Sequence, residues 1–109
     1  FRRVLFRSIR LKIPNTISKF KNLEILLLDN CIDHLPDAVC QLKKIKFMCL
    51  NNNPELQSIP DCLAGLNNMA MLALQGSPNV KIPDWLRKKG RPFREDATRG
   101  SVWDLEYEE

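Results

Sequence analysis

The sequence predicts an α/β solenoid, a stack of similar units that each contribute a short strand and a helical return. The pattern L-x-x-L-x-L or its apolar equivalent occurs three times, as Leu23/Leu26/Leu28, Ile45/Met48/Leu50 and Met69/Leu72/Leu74. Prolines at positions 14, 36, 60 and 83 repeat with the same period, in steps of 22, 24 and 23 residues. Periods of 20–50 residues are typical of solenoids and related repeat architectures. Between a proline and the next triplet, apolar residues recur every three positions, which suits a 3₁₀ or short α segment.

The strand of each unit is expected to begin near its apolar triplet. Side chains of a strand alternate between its two faces, so positions 1, 4 and 6 of each unit are predicted to point into the core and positions 3 and 5 outward. Strands of successive units are then expected to lie side by side in parallel. The residue after each proline is Asn or Asp, which can accept hydrogen bonds from free N–H groups at the start of a helical turn.

Each unit also has a fixed polar or cysteine position between its triplet and its next apolar-proline pair, occupied by Cys31, Asn53 and Ser77. The combined pattern, LxxLxLxx(N/C)xLxxLP, resembles that of the leucine-rich repeat (LRR) family over roughly residues 9–86. The resemblance implies an arc with short parallel β-strands on its concave face and 3₁₀ or short α segments on its convex face. It also implies that the asparagine position hydrogen-bonds the turn backbone of its own and the adjacent unit.

The first eight residues, FRRVLFRS, resemble the translated end of a common sequencing adapter. We interpret residues 1–8 as a non-native artefact and leave them out of the predicted fold. On this interpretation the real upstream strand is missing and the gene is longer than this fragment. The alternative is a native strand, because Phe1, Val4 and Phe6 fit the apolar frame. Without the three arginines of this segment the net charge falls from +4 to +1, so basicity does not indicate nucleic-acid binding.

Residues 9–86 are predicted to form about three full repeats and a partial first one, and residues 87–109 a C-terminal cap. Gly90 and Pro92 are expected to end the last helix. The cap hypothesis rests on Trp103, Leu105 and Tyr107, which alternate with acids as in an edge strand or hook, and it places Trp85 and Trp103 against the last repeat. The alternative is an electrostatic anchor for nucleic acid or membrane, built on Arg87, Lys88, Lys89, Arg91 and Arg94. Acidic residues follow this basic cluster closely, which favours the cap.

The four cysteines, at positions 31, 40, 49 and 62, include no C-x-x-C pair and do not match the cysteine-rich caps of secreted LRR proteins. The sequence also has no N-x-S/T acceptor site and no stretch that resembles a signal peptide or a membrane span. These observations predict reduced thiols, a cytoplasmic (intracellular) location and no membrane partner.

No catalytic motif is recognisable. The only histidine, His34, is predicted to lie in a loop with no serine or cysteine placed to complete a triad. Phosphate-binding glycine motifs are absent from the sequence, and the cysteines are spread over three repeats rather than grouped for zinc. We therefore expect a protein that is not an enzyme and uses no cofactor or metal.

The concave face is the predicted functional site. Its outward positions are Ile25, Leu27, Asp29, Phe47, Cys49, Asn51, Met71, Ala73 and Gln75. The expected rows Ile25/Phe47/Met71 and Leu27/Cys49/Ala73 make an apolar patch with a polar border, a feature typical of contact surfaces. The predicted function is a protein-protein interaction module or scaffold. The alternative is the substrate-recruiting arm of a larger enzyme of the ubiquitin ligase or kinase type, and self-association through an uncapped N-terminal edge is also expected.

Overall fold

A computed structural model describes residues 2–7, 10 and 12–106, so Phe1, Ser8, Ile9, Leu11 and Tyr107 of the predicted patterns lie outside the described residues. The described strands are β1 (Arg3–Arg7), β2 (Ile25–Asp29), β3 (Phe47–Cys49), β4 (Met71–Gln75), β5 (Arg91–Asp96) and β6 (Gly100–Asp104). They form one mixed sheet in the order β1-β2-β3-β4-β6-β5. The predicted parallel pairing is confirmed for β1 to β4. For the C-terminal segment the sequence predicts only an edge strand or hook. β6 instead lies inside the sheet and pairs antiparallel with both β4 and β5.

The return segments are three 3₁₀ helices, Asn15–Lys19, Asp37–Gln41 and Asp61–Gly65, and one six-residue α-helix, α1 (Asp84–Lys89). Each begins directly after one of the periodic prolines. The ring restricts the φ angle of the proline, which has extended backbone just before the helix, and proline has no N–H group that would need a hydrogen-bond acceptor. The N-cap residue of each helix is the proline, and no side-chain cap hydrogen bond forms there, so capping by the Asn or Asp that follows stays a prediction. α1 ends at Lys89 and Gly90 follows it, as the sequence predicts.

The apolar frame lies in the core as predicted. Positions 1, 4 and 6 of the three units are all buried: Leu23, Leu26, Leu28, Ile45, Met48, Leu50, Met69, Leu72 and Leu74. Each return segment buries an apolar residue beneath the sheet, Ile17, Val39, Leu63 or Leu86, and Asp37–Gln41 buries Cys40 as well. Sequence period and burial therefore agree, because one unit repeats the same inward positions against its neighbour.

The asparagine position forms the hydrogen bonds that the family resemblance implies. Asn53 is fully buried; its Oδ1 accepts from the N–H groups of Cys31 (2.9 Å) and Ile32 (3.0 Å). Its Nδ2 donates to the carbonyl oxygens of Leu28 (2.8 Å) and Asn51 (3.1 Å). Ser77 continues the ladder in the next unit: its hydroxyl accepts from Asn53 N–H and donates to Leu50 O. The ladder fixes the turn that follows each strand relative to its neighbours.

The described part of the first segment, residues 2–7, contributes a strand to the sheet. Arg3–Arg7 forms β1, which pairs with β2 in the register that the apolar frame requires, Val4 beside Leu26 and Phe6 beside Leu28. Val4 and Phe6 pack against the core. The strand position that the artefact hypothesis leaves empty is therefore filled by this segment, and the non-native origin of residues 1–8 stays a prediction.

The C-terminal hairpin of β5 and β6 covers the last parallel strand. Trp103 is 1% exposed and stands beside Leu72 of β4, and Leu105 is also buried. Gly100 permits close pairing with β4, because its φ is +96° and a Cβ atom there would lie 2.1 Å from the carbonyl oxygen of Leu74. Trp85 is only partly buried, with its Nε1 unpaired among the described residues. Both tryptophans pack against the core as predicted, Trp103 enclosed and Trp85 partly buried.

The prediction of reduced thiols is wrong for two of the four cysteines. Cys40 and Cys62 lie in successive 3₁₀ helices and form a disulfide, with Cα atoms 5.8 Å apart. Cys31 and Cys49 are free. Disulfides persist mainly in oxidising compartments, so the cytoplasmic location loses the support that reduced thiols would have given it.

Reduction of this disulfide is expected to lower the free energy of unfolding by about 3 kcal/mol, because the bond closes a loop of 22 residues in the unfolded chain. The measurement is urea unfolding with and without dithiothreitol. A Cys40→Ser/Cys62→Ser variant is the control and should not respond to the reductant. Alkylation of four thiols in the denatured, unreduced protein would contradict the pairing.

Candidate functional site

The predicted concave-face residues form rows across the parallel strands. Strand register places Ile25 beside Phe47 and Phe47 beside Met71. It also places Leu27 beside Cys49 and Cys49 beside Ala73. Both predicted rows are therefore confirmed as juxtapositions, and the hairpin extends the first row to Asp104.

Exposure along these rows is uneven. Phe47 is the most open member, with 37% of its surface exposed, and Ile25, Leu27, Cys49 and Met71 are half-buried. Ala73 is only 5% exposed, so its predicted role as an accessible contact residue is wrong. Val102 of β6 pairs with Ala73. Because β6 lies beside β4, Ala73 is in the interior of the sheet and not on an edge strand. The usable apolar patch is centred on Phe47.

Two polar residues that border the apolar patch already bind other groups of the chain. Asp29 forms an ion pair with the Arg7 guanidinium (3.1 Å) and accepts a hydrogen bond from Asn52 Nδ2 (2.8 Å). Asn51 Oδ1 accepts from the backbone N–H of Gln75 (2.9 Å). These groups close the carboxyl edge of the sheet, so Asp29 and Asn51 are less available to a partner than the sequence predicts.

Cys49 has a free thiol on the concave face, but its surroundings disfavour the reactive form. Burial raises the pKa of the Cys49 thiol above its usual value. A nucleophilic cysteine requires the opposite shift, from a nearby cation or a helix N-terminus. The raised pKa therefore disfavours a role for Cys49 as a nucleophile.

An ion-pair cluster marks the amino edge of the same face. Glu24 lies 2.6 Å from the Arg2 guanidinium and 3.2 Å from the Lys46 ammonium group. The hydrogen bonds from Arg2 and Lys46 outweigh desolvation and lower the pKa of Glu24 from 4.5 to about 2. Glu24 thus connects the first three strands by charge at the point where each strand begins.

Acid titration should detect this cluster. Because the pKa of Glu24 is lower in the folded chain than in the unfolded one, its stabilising effect is present above about pH 4.5 and is lost as the pH falls toward 2. Between pH 6 and pH 3 the urea midpoint of the wild type is expected to fall further than that of Glu24→Gln. Other carboxylates titrate in both proteins and cancel in the comparison. Equal losses in the two proteins would contradict the ion-pair assignment.

The basic cluster of the alternative hypothesis is partly neutralised. Arg87 pairs with Glu95 (2.6 Å) and lies 5.5 Å from the centroid of the Trp103 ring. Lys89 donates to the carbonyl oxygen of Ala64. These two residues bind the last helix to the hairpin and to the preceding repeat, so a structural role accounts for them.

Sequence reasoning missed Phe93 as a member of the surface. Phe93 is 65% exposed on β5 and lines the same cleft as Phe47 and Met71. The repeat pattern could not predict the position of Phe93, because β5 lies outside the repeats. β5 joins the sheet only by antiparallel pairing with β6.

Over the described part of the chain, no helix has the length and apolar character needed to cross a membrane. A second apolar surface lies beside β1, where a groove of about 300 Å³ is lined mainly by Val4, Phe6, Ile13, Ile17 and Phe20. β1 is the terminal strand of the sheet on this side. This groove is where the predicted uncapped edge lies.

Comparison with known proteins gives partial matches to leucine-rich repeat proteins. No protein-family model matches the chain. The chain is 36% identical over 81 residues to mouse leucine-rich repeat serine/threonine-protein kinase 1, and 35% identical over 63 residues to mouse leucine-rich repeat and calponin homology domain-containing protein 1. These matches cover 73% and 57% of this chain, but only 4% and 9% of the two relatives. Homology to leucine-rich repeat proteins thus extends over part of the chain and over a small part of each relative.

Proposed function

We propose that this chain is a leucine-rich repeat arc that binds a partner protein through the concave face of its sheet and catalyses no reaction itself. The observation that carries the proposal is the row Ile25/Phe47/Met71, in register across three parallel strands and most exposed at Phe47. Apolar and aromatic residues flanked by polar groups are typical of interface cores. Similarity to two leucine-rich repeat proteins supports an interaction module of this kind.

The proposed mechanism is rigid display. Asn53 and Ser77 connect successive turns through buried hydrogen bonds, and the strands that carry the contact residues are joined by backbone pairing on both sides. Contact side chains on such a scaffold lose little conformational freedom when a partner binds, so more of the interaction free energy remains as affinity.

A paired charge substitution tests the proposal. Proteins captured by the immobilised wild-type chain are identified, purified and titrated against Phe47→Asp/Met71→Asp. Binding is expected to fall at least about tenfold, because two carboxylates would be desolvated in the contact. Phe20→Asp is the matched control, since Phe20 is also a part-exposed aromatic but lies away from this face. Unchanged far-UV circular dichroism must accompany the loss, and retained binding would contradict the concave site.

The second candidate is the substrate-recruiting arm of a larger enzyme. Its support is the 36% identity to a protein named as a leucine-rich repeat serine/threonine kinase. Long-read sequencing through the locus tests it, because this function requires a catalytic domain in the same reading frame. A frame that contains only further repeats would contradict it and favour a scaffold. The same sequence decides whether FRRVLFRS is native.

We further propose weak self-association through the apolar groove beside β1, where an edge strand adjoins the partly exposed side chains of Val4 and Phe6 and the exposed side chain of Phe20. Sedimentation velocity over a hundredfold concentration range tests this, with Val4→Lys expected to remain monomeric at concentrations where the wild type associates. Identical profiles would contradict the proposal.

A further inference from the structure

A cleft of about 490 Å³ lies where the concave face meets the C-terminal hairpin. The residues that matter for the inference are Lys46, Phe47, Met71, Phe93, Asp104 and Glu106. We call this the aromatic cleft. Phe47 and Met71 both line it, so it is continuous with the row that carries the proposed function.

A register shift in the hairpin places Phe93 in the cleft. Pro92 pairs with Trp103 and Arg94 pairs with Val102, so Phe93 is an extra residue between two consecutive pairs. Such a β-bulge leaves one residue out of the ladder and redirects its side chain, and bulges of this kind occur often beside functional sites. Phe93 would otherwise be an unexplained exposed aromatic residue in a hairpin whose other aromatic residue, Trp103, is enclosed.

The charge of the cleft is asymmetric. Lys46 is compensated by Glu24 at 3.2 Å. Asp104 and Glu106 form no ion pair among residues 2–7, 10 and 12–106, although Arg91 stands opposite Asp104 in the strand register. The two acidic residues lie together, with Asp104 Oδ1 accepting from Glu106 N–H (2.9 Å). Negative charge therefore borders the apolar pocket on the hairpin side, although the chain as a whole carries +4.

We infer that Phe47, Met71 and Phe93 hold one bulky apolar side chain of a partner protein's peptide segment, and that Asp104 and Glu106 bind a Lys or Arg beside it. The inference rests on the proposed function and narrows it to a partner chemistry. Charge complementarity selects the occupant: a cation next to the apolar group satisfies both carboxylates, whereas an acidic segment or a nucleic acid would face them with like charge. The aromatic and methionine lining is adaptable in shape, which suits an apolar anchor.

A random 12-residue peptide library displayed on phage provides the probe. It is selected against the wild-type chain, and enriched peptides are then synthesised with a fluorescent label and titrated by fluorescence anisotropy. The first variant is Phe93→Ser, which removes the aromatic side chain that the hairpin contributes to the aromatic cleft. The second is Asp104→Asn/Glu106→Gln, which removes the negative charge of the two carboxylates with little change of shape. Phe20→Ser is the matched control at protein concentrations where the wild type is monomeric, because Phe20 lines the groove beside β1 and not the aromatic cleft. Phe47→Asp/Met71→Asp reports on the concave face as a whole.

The expected peptides pair a large apolar residue with Lys or Arg. Phe93→Ser should raise Kd at least about tenfold and the amide variant about three- to tenfold, with Phe20→Ser within twofold. Wild-type affinity should also fall with salt, and the amide variant should lose most of that dependence.

Other outcomes separate this inference from the proposed function. Peptides that need Phe47 and Met71 but tolerate Phe93→Ser, or that lack basic residues, would overturn the inference and leave the concave site standing. Failure to enrich any peptide, or binding that tolerates Phe47→Asp/Met71→Asp, would overturn both. A wild-type dimer that Phe93→Ser dissociates in sedimentation velocity would make a second copy the occupant and overturn the partner-peptide assignment.

Discussion

Trp103→Ala is expected to lower the free energy of unfolding by roughly 4 kcal/mol, the largest effect of any single substitution considered for this chain. Trp103 is the bulkiest of the fully buried side chains and joins the hairpin to β4 beside Leu72. Its Nε1 donates to Ser101 Oγ (2.8 Å), and the Arg87 guanidinium lies over its ring. Truncation would remove all of these contacts at once and leave a cavity under the end of the sheet.

Urea unfolding followed by circular dichroism measures this effect. Trp103→Phe should lose less, about 1–2 kcal/mol, because most of the buried ring remains while the Ser101 hydroxyl loses its donor. Phe93→Ala, on the paired strand but 65% exposed, should change stability by no more than about 0.5 kcal/mol. Similar small losses for Trp103→Ala and Phe93→Ala would show that the hairpin does not pack as described.

Asn53→Ala is expected to cost roughly 3–4 kcal/mol, although it removes only a few atoms. Asn53 satisfies two buried N–H groups, those of Cys31 and Ile32, and donates to two carbonyl groups. Alanine would leave the N–H groups of Cys31 and Ile32 buried without partners, whereas the carbonyl oxygen of Asn51 still accepts from the N–H of Asn30. Each unsatisfied group costs about 1–3 kcal/mol before relaxation or water entry reduces the sum. The defect would lie at the junction of two units, so hydrogen exchange should accelerate on both sides of it.

Asn68→Ala is the matched control. Asn68 is exposed and its Nδ2 makes one hydrogen bond, to the carbonyl oxygen of Lys43 (3.2 Å), so its loss should cost less than about 1 kcal/mol. Unfolding free energies from urea titration at neutral pH allow direct comparison of the two variants. Comparable losses would mean that the ladder contributes no more than an exposed hydrogen bond.

Much of the repeat region could be predicted from the sequence. Leu26, Met48 and Leu72 share one position of the repeat, and they are neighbours in the sheet because each unit uses the same inward positions. The same argument placed Phe47 between Ile25 and Met71 without any knowledge of tertiary contacts. The hydrogen-bonding role of Asn53 came from the family resemblance, and its partners lie in the neighbouring unit, as expected.

Periodicity could not predict contacts between positions that are not equivalent in the repeat. Cys40 is the fourth residue after its proline and Cys62 the second after the next one, so the frame does not align them although their 3₁₀ helices are neighbours. The expected adjacency of the two 3₁₀ helices could have indicated the disulfide. The absence of C-x-x-C pairs instead led to the prediction of reduced thiols. Ala73 illustrates the same limit, because its burial depends on a strand from outside the repeats.

The sequence by itself thus determined which side chains lie inside, which strands pair in parallel and which rows face outward. These properties could be predicted because every repeat unit has the same inward and outward positions. Only the tertiary structure decided that Arg3–Arg7 completes the sheet, that β6 adds antiparallel to β4, and that a bulge brings Phe93 beside Phe47. The physical reason is that inward and outward positions follow from the local alternation of a strand. The partner of an edge strand, and its register, depend on which distant segment can bury its side chains there.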